Sequence, residues 1–182
     1  WNALIDDLGG KKKKSYGAYY LGRAKLQAVM GNADKATEDY HMCVSLDKSC
    51  YAAYLGQYLL QVDSGDEQGA SATLEAAMNV AGDKQKESVE YYTLLYYNKD
   101  TDNAGAGFKA LYDNGEKKAA YYLGRIAEDA KDYNSAASYY EIYQTECPDE
   151  LGADFYNQYA GCLIELEKYD EALELITKGK QM

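Results

Sequence analysis

The sequence predicts an all-α solenoid, an α-α superhelix of about five helix-turn-helix repeats, from three observations. Ala36, Ala70, Ala104, Ala136 and Ala172 fall 34, 34, 32 and 36 residues apart. Tyr20-Leu21-Gly22 returns as Tyr54-Leu55-Gly56 and Gly31 as Gly65, each 34 residues on. One proline in 182 residues, with 47% apolar content, leaves room for long helices and little for linkers. A period in the thirties marks small units that cannot bury their own apolar face and must stack on their neighbours.

Taken in order, Trp1, Leu4, Ile5 and Leu8 have the spacing of one helix face, so residues 1–14 are expected to be a remnant helix and linker ended by Gly9-Gly10. Lys11 to Lys14 form a solvated approach to the first repeat. The chain opens on Trp1 rather than Met, which suggests removal of an upstream segment and slightly favours a secreted or lipid-anchored setting over the cytoplasm. The repeat domain is expected over 15–182, with repeats near 17–50, 51–84, 85–116, 117–152 and 153–182. Gly31 and Gly65 end the first helix of their pairs in left-handed backbone. Gly31-Asn32-Ala33-Asp34, Ser64-Gly65-Asp66, Lys99-Asp100-Thr101-Asp102-Asn103 and Asp113-Asn114-Gly115 are turns. The third repeat is the weakest, with Tyr91-Tyr92, Leu94-Leu95 and then Ala104, Phe108 and Leu111 at i, i+4, i+7.

The fourth repeat runs Tyr121-Tyr122-Leu123-Gly124, then Lys131-Asp132-Tyr133-Asn134-Ser135-Ala136-Ala137-Ser138-Tyr139-Tyr140, and closes near Cys147-Pro148. The fifth has Tyr156, Ala160 and Leu163, then Lys168-Tyr169-Asp170-Glu171-Ala172-Leu173, Ile176 and Gly179. These units resemble the tetratricopeptide repeat (TPR) family over about residues 17–179. The repeats depart from that pattern in lacking its tryptophan and in keeping its closing proline once, as Pro148. In the first two repeats the Leu-Gly pair also sits two residues farther from the turn, so their first helices should be longer or rotated. The resemblance implies that first helices line a concave groove that takes a peptide or partner segment. With each marker alanine as the twentieth residue of its repeat, that groove would hold Tyr96 and Tyr97 of repeat three, Tyr121, Arg125, Glu128 and Asp129 of repeat four, and Asn157 and Gln158 of repeat five. Arg125 is equally placed to pair with Glu128 or Asp129 along its own helix.

Glycine inside a helix costs about 1 kcal/mol relative to alanine, so Gly22, Gly56 and Gly124 are expected where a partner helix comes close. Tyrosine supplies 21 of the aromatic residues against two phenylalanines and one tryptophan, suiting a thin two-layer stack with few sites remote from water. Cys43 and Cys50, or Cys147 and Cys162, are near enough in sequence to bridge in an oxidising compartment, and free buried thiols fit the pattern too.

No chemistry-bearing motif survives scrutiny, so neither catalysis nor a cofactor nor a metal is expected. His41 is the only histidine and no CxxC pair occurs. Asp100 to Gly105 resembles a calcium loop but has Ala104 at a ligand position and Leu111 in place of the bidentate glutamate. Gly105-Ala106-Gly107 lacks the rest of a dinucleotide fingerprint. A net charge of −11 disfavours nucleic acid, and no apolar run is long enough to span a membrane. The expected function is a non-enzymatic protein-interaction scaffold, monomeric or weakly self-associating. A self-assembling or spacer domain attached to an upstream domain or membrane anchor is the alternative, and a glycan or small-ligand binder the third.

Overall fold

The computed structural model describes residues 10–80 and 86–181. Among them lie ten α-helices and no strand: α1 (Gly10–Val29), α2 (Ala33–Leu46), α3 (Tyr51–Ser64), α4 (Glu67–Met78), α5 (Val89–Tyr97), α6 (Thr101–Asp113), α7 (Ala119–Asp129), α8 (Tyr133–Glu146), α9 (Ala153–Glu165) and α10 (Tyr169–Gly179). A 3-10 turn, Pro148–Glu150, precedes α9. The chain divides into two compact units, one ending at Lys99 and one beginning at Asp100. The amphipathic segment expected over Trp1 to Leu8 lies outside the described residues. Gly10 is the first residue of α1, which takes the lysine run into its first turns.

Each short turn between a first and a second helix is built on one left-handed residue. Gly31 and Gly65 have φ of 75°, as expected, while Lys99, Lys131 and Glu167 have φ of 65°, 60° and 60°. Every one of the five stands five residues before a marker alanine. A further bond secures the helix end in four of these turns. Asn32 N–H donates to Gln27 O at 2.9 Å, Asp66 to Gln61 O at 2.8 Å, Asp132 to Ala127 O at 2.9 Å and Lys168 to Leu163 O at 2.8 Å. This six-to-one closure satisfies a carbonyl that the helix would otherwise leave open, and it holds even where the left-handed residue carries a side chain. Asp66 and Asp132 then start the second helix by accepting from Gly69 N and Ser135 N at 2.9 and 3.1 Å.

The marker alanines sit where second helices bury most deeply: Ala36, Ala104 and Ala136 are wholly buried. Four residues beyond Ala36, Ala70, Ala104 and Ala136 come the large side chains Tyr40, Leu74, Phe108 and Tyr140, all buried. The matched glycines show what those side chains lean on. A Cβ on Gly124 would lie 2.6 Å from Tyr140 Cε1, inside its own repeat. A Cβ on Gly56 would come closer still to the Tyr40 ring, which belongs to the preceding repeat. The difference follows from register: Gly124 stands 12 residues before its marker alanine and Gly56 stands 14. Two residues turn a helix by about 200°, so the glycine notch faces the opposite side of the first helix. Gly22 has the register of Gly56, and among the described residues nothing lies within 4 Å of its Cβ position. The expectation that all three glycines admit a close partner therefore holds for two, and among the described residues no such partner stands at Gly22.

Candidate functional site

In the C-terminal unit, α7 carries Tyr121 and Arg125 one turn apart, so both side chains leave the same face. The neighbouring first helix, α9, brings Gln158 against them. Tyr121 Oη donates to Gln158 Oε1 at 2.7 Å, and Arg125 Nη1 donates to Tyr121 Oη at 3.3 Å. The Arg125 guanidinium carbon is 6.0 Å from the centroid of the Tyr121 ring. Phenol, guanidinium and side-chain amide thus form one half-buried polar strip across two first helices. Beneath it lies an aromatic floor, with Tyr143 at 5.3 Å and Phe155 at 6.4 Å from the Tyr121 centroid.

Another expected residue of this unit leaves that strip. Glu128 turns into the seam between α7 and α8 and accepts from Tyr140 Oη at 2.7 Å. Burial, and then this hydrogen bond, push the Tyr140 phenol well above its ordinary value. Burial also raises Tyr143 and Tyr159 to about 12, so the floor stays uncharged at neutral pH. Asp129 lies exposed at the end of α7, and Asn157 is exposed on α9.

In the N-terminal unit Tyr96 is buried in the core, whereas Tyr97 is half-buried and stacks on Tyr58 of α3, centroids 4.9 Å apart at 29°. Tyr58 was missed by sequence reasoning. Its position 12 residues before Ala70, where the fourth repeat has Gly124, was the available signal. Another missed feature joins α1 to α2: Arg23 Nε and Nη2 donate to the two carboxylate oxygens of buried Asp39 at 2.6 and 2.5 Å. The hydrogen bonds to Asp39 hold that guanidinium more firmly protonated than usual.

All four cysteines are free thiols. Cys43 and Cys50 share a hydrogen bond that, together with burial, raises Cys43, while the same bond lowers Cys50 at the head of α3. Among the described residues no group of three or more His, Cys, Asp or Glu side chains is placed to hold a metal ion. No helix of the described residues is long and apolar enough to cross a membrane.

No protein-family model matches this chain, and no curated protein matches it. Solved structures do. PilF of Pseudomonas aeruginosa aligns at 14% identity over 92% of this chain and 78% of its own, with a TM-score of 0.62. A tetratricopeptide repeat protein from Parabacteroides merdae aligns at 16% identity over 90% of this chain and 64% of its own, TM-score 0.63. A chain of the APC/C hetero-tetramer Cut9–Hcn1 aligns at 14% identity over 98% of this chain and 34% of its own, TM-score 0.64. Five left-handed turns, five marker alanines and these neighbours agree: the chain has the tetratricopeptide-repeat fold.

Proposed function

We propose that this chain is a non-enzymatic protein-interaction module, and that the first-helix face of its C-terminal unit holds an extended peptide segment of a partner. The observation that carries this reading is the Tyr121–Arg125–Gln158 strip, where aromatic surface, a cation and an amide converge on adjacent first helices. An extended peptide offers backbone carbonyls and amides at intervals that such a strip can meet, and the aromatic ring supplies contact area at low entropic cost. The acidic balance of the chain, −11, favours a neutral or basic peptide over an acidic one. Tyr97 and Tyr58 form a second candidate contact on the N-terminal unit.

The test is selection of binding peptides from a displayed random library, followed by titration against Arg125→Ala, Tyr121→Ala and a Tyr97→Ala variant. A loss of tenfold or more in affinity from Arg125→Ala or Tyr121→Ala supports the strip. Selected peptides that bind the Arg125→Ala/Tyr121→Ala double variant as tightly as the native chain would remove it.

A further inference from the structure

The corner between α2 and α3 holds two thiols against one another. Cys43 lies in the last turn of α2 with no exposed surface, and Cys50, half-buried, immediately precedes the first residue of α3. Both pack in one apolar cluster with Tyr40 and Ala53, and their side chains share a hydrogen bond. The backbone between them is tied down. Asp47 N–H donates to Cys43 O at 2.9 Å, Cys50 N–H donates to Asp47 O at 3.1 Å, and Ser49 N–H donates to the Asp47 carboxylate at 3.2 Å. The turn thus delivers the two sulfurs to each other, and closing them to a bond of about 2.05 Å is a short movement of side chains already in contact. The other cysteine pair is held apart instead. Cys147 faces Lys118 at the head of α7 and Cys162 faces Glu128 at its tail. From Lys118 to Glu128 the helix advances roughly 15 Å, which sets those two thiols at opposite ends of α7.

We propose that Cys43 and Cys50 are a reversible dithiol–disulfide pair, oxidised by a small disulfide of the glutathione class, that clasps the end of α2 to the head of α3. Cys50 is the entry sulfur. It is the more exposed of the two, and it stands at the N-terminus of a 14-residue helix, where the dipole favours a thiolate. The hydrogen bond with Cys43 lowers Cys50, with Lys25 assisting and burial and Asp47 opposing. In the first step the Cys50 thiolate attacks one sulfur of the small disulfide RSSR, whose S–S bond breaks to release one thiolate, RS−. Cys43 then gives its proton to that thiolate and attacks the Cys50 sulfur, breaking the Cys50–SR bond and expelling the second RS−. The second RS− takes from solvent the proton that Cys50 lost on ionising. The pair is oxidised by two electrons and RSSR is reduced to two RSH. This clasp uses no side chain of the peptide-binding strip.

The test is equilibration of this chain with mixtures of reduced and oxidised glutathione, followed by acid quenching, alkylation of the remaining thiols and non-reducing tryptic mapping. Lys48 lies between the two cysteines, so trypsin separates their peptides unless a disulfide joins them. The native chain should yield the joined Cys43 and Cys50 peptides, release them on return to reduced glutathione, and leave Cys147 and Cys162 alkylated. Its effective concentration for closing that bridge should exceed the value for the same chain in denaturant by about tenfold or more, because the fold rather than nearness in sequence sets the pair. Cys43→Ser should stop at a mixed disulfide of glutathione on Cys50, and Cys50→Ser should leave Cys43 unmodified. Circular dichroism checks that both variants keep their helices. Absence of the joined peptides, a folded value no higher than the denatured one, or an adduct on Cys43 of the Cys50→Ser variant with none on Cys50 of the Cys43→Ser variant would overturn the inference.

Discussion

Replacing Gly124 with alanine places a Cβ 2.6 Å from Tyr140 Cε1 and 2.7 Å from Cδ1, against the body of a ring with no exposed surface. Forcing an extra carbon into a packed interior costs about 1–3 kcal/mol. The displaced ring also strains the bond from Tyr140 Oη to Glu128 Oε2, of a kind worth about 1.5–3 kcal/mol when the acceptor is charged. Alanine returns about 1 kcal/mol of helix propensity, so Gly124→Ala should destabilise by about 2 kcal/mol net. Gly22→Ala meets no such wall among the described residues and should stabilise by about 1 kcal/mol. At this chain length those energies correspond to a fall in Tm of about 4–8 °C and a rise of about 2–4 °C. Thermal melts followed by far-UV circular dichroism at low-micromolar protein keep self-association out of the comparison. In the double variant Gly124→Ala/Tyr140→Leu the smaller side chain relieves the clash, so the two losses should sum to more than the pair costs together. Equal Tm shifts for Gly22→Ala and Gly124→Ala, or strict additivity in the pair, would refute the register argument.

The turns give a second series. Lys131→Gly and Glu167→Gly remove a side chain from left-handed backbone and should stabilise by up to about 1 kcal/mol, whereas Gly65→Ala should destabilise by about 1 kcal/mol; melts showing the opposite signs would contradict the turn assignment. For the thiols, iodoacetamide at mildly alkaline pH should label Cys50 first, because its hydrogen bond with Cys43 lowers it while burial pushes Cys162 up to about 12. Peptide mapping that finds Cys162 labelled as fast as Cys50 in the folded protein would count against that ordering. Asp132 is held below the ordinary aspartate value of 3.8 by hydrogen bonds from the Ser135 side chain and backbone. Its capping contribution is therefore complete above 3.8 and is lost as pH falls through the lower folded value; a carboxyl NMR titration midpoint at or above 3.8 would show the cap absent.

The repeat architecture was legible because its geometry demands small residues at fixed places. A second helix comes closest to its neighbour at Ala36, Ala104 and Ala136, and a larger side chain there would hold the pair apart. Gly31 and Gly65 announced their turns because glycine adopts left-handed backbone without strain. The turn at Lys99 was marked only by its polar cluster, and Lys131 and Glu167 announced nothing, since there the closing hydrogen bonds, rather than residue type, hold the same conformation. The two-residue offset of Gly22 and Gly56 was visible in the sequence. Which neighbour each notch would face depended on a rotation of about 200° that spacing alone does not assign to either side.

The arrangement of the candidate strip was legible to a lesser degree. Tyr121, Arg125 and Gln158 share one strip because two first helices bring the matching faces together. Glu128 has the right helical position for the same face, and its route into the α7–α8 seam depends on the hydroxyl that Tyr140 presents there. Tyr96 and Tyr97, adjacent in sequence, point about 100° apart on α5, which sends one into the core and leaves the other stacked on Tyr58. Sequence order could state that the doublet divides, but not which member took which side.

The structural claim beneath all of this is a left-handed residue five positions before each marker alanine. Backbone NMR assignment with amide-to-α-proton couplings tests it directly at Lys99, Lys131 and Glu167, where no glycine biases the outcome. Couplings and carbon shifts of left-handed backbone at all three, flanked on both sides by helical values, are the predicted result. Continuous right-handed helical values through Lys131 or Glu167 would mean that no turn divides the pair, and the repeat assignment would fail there.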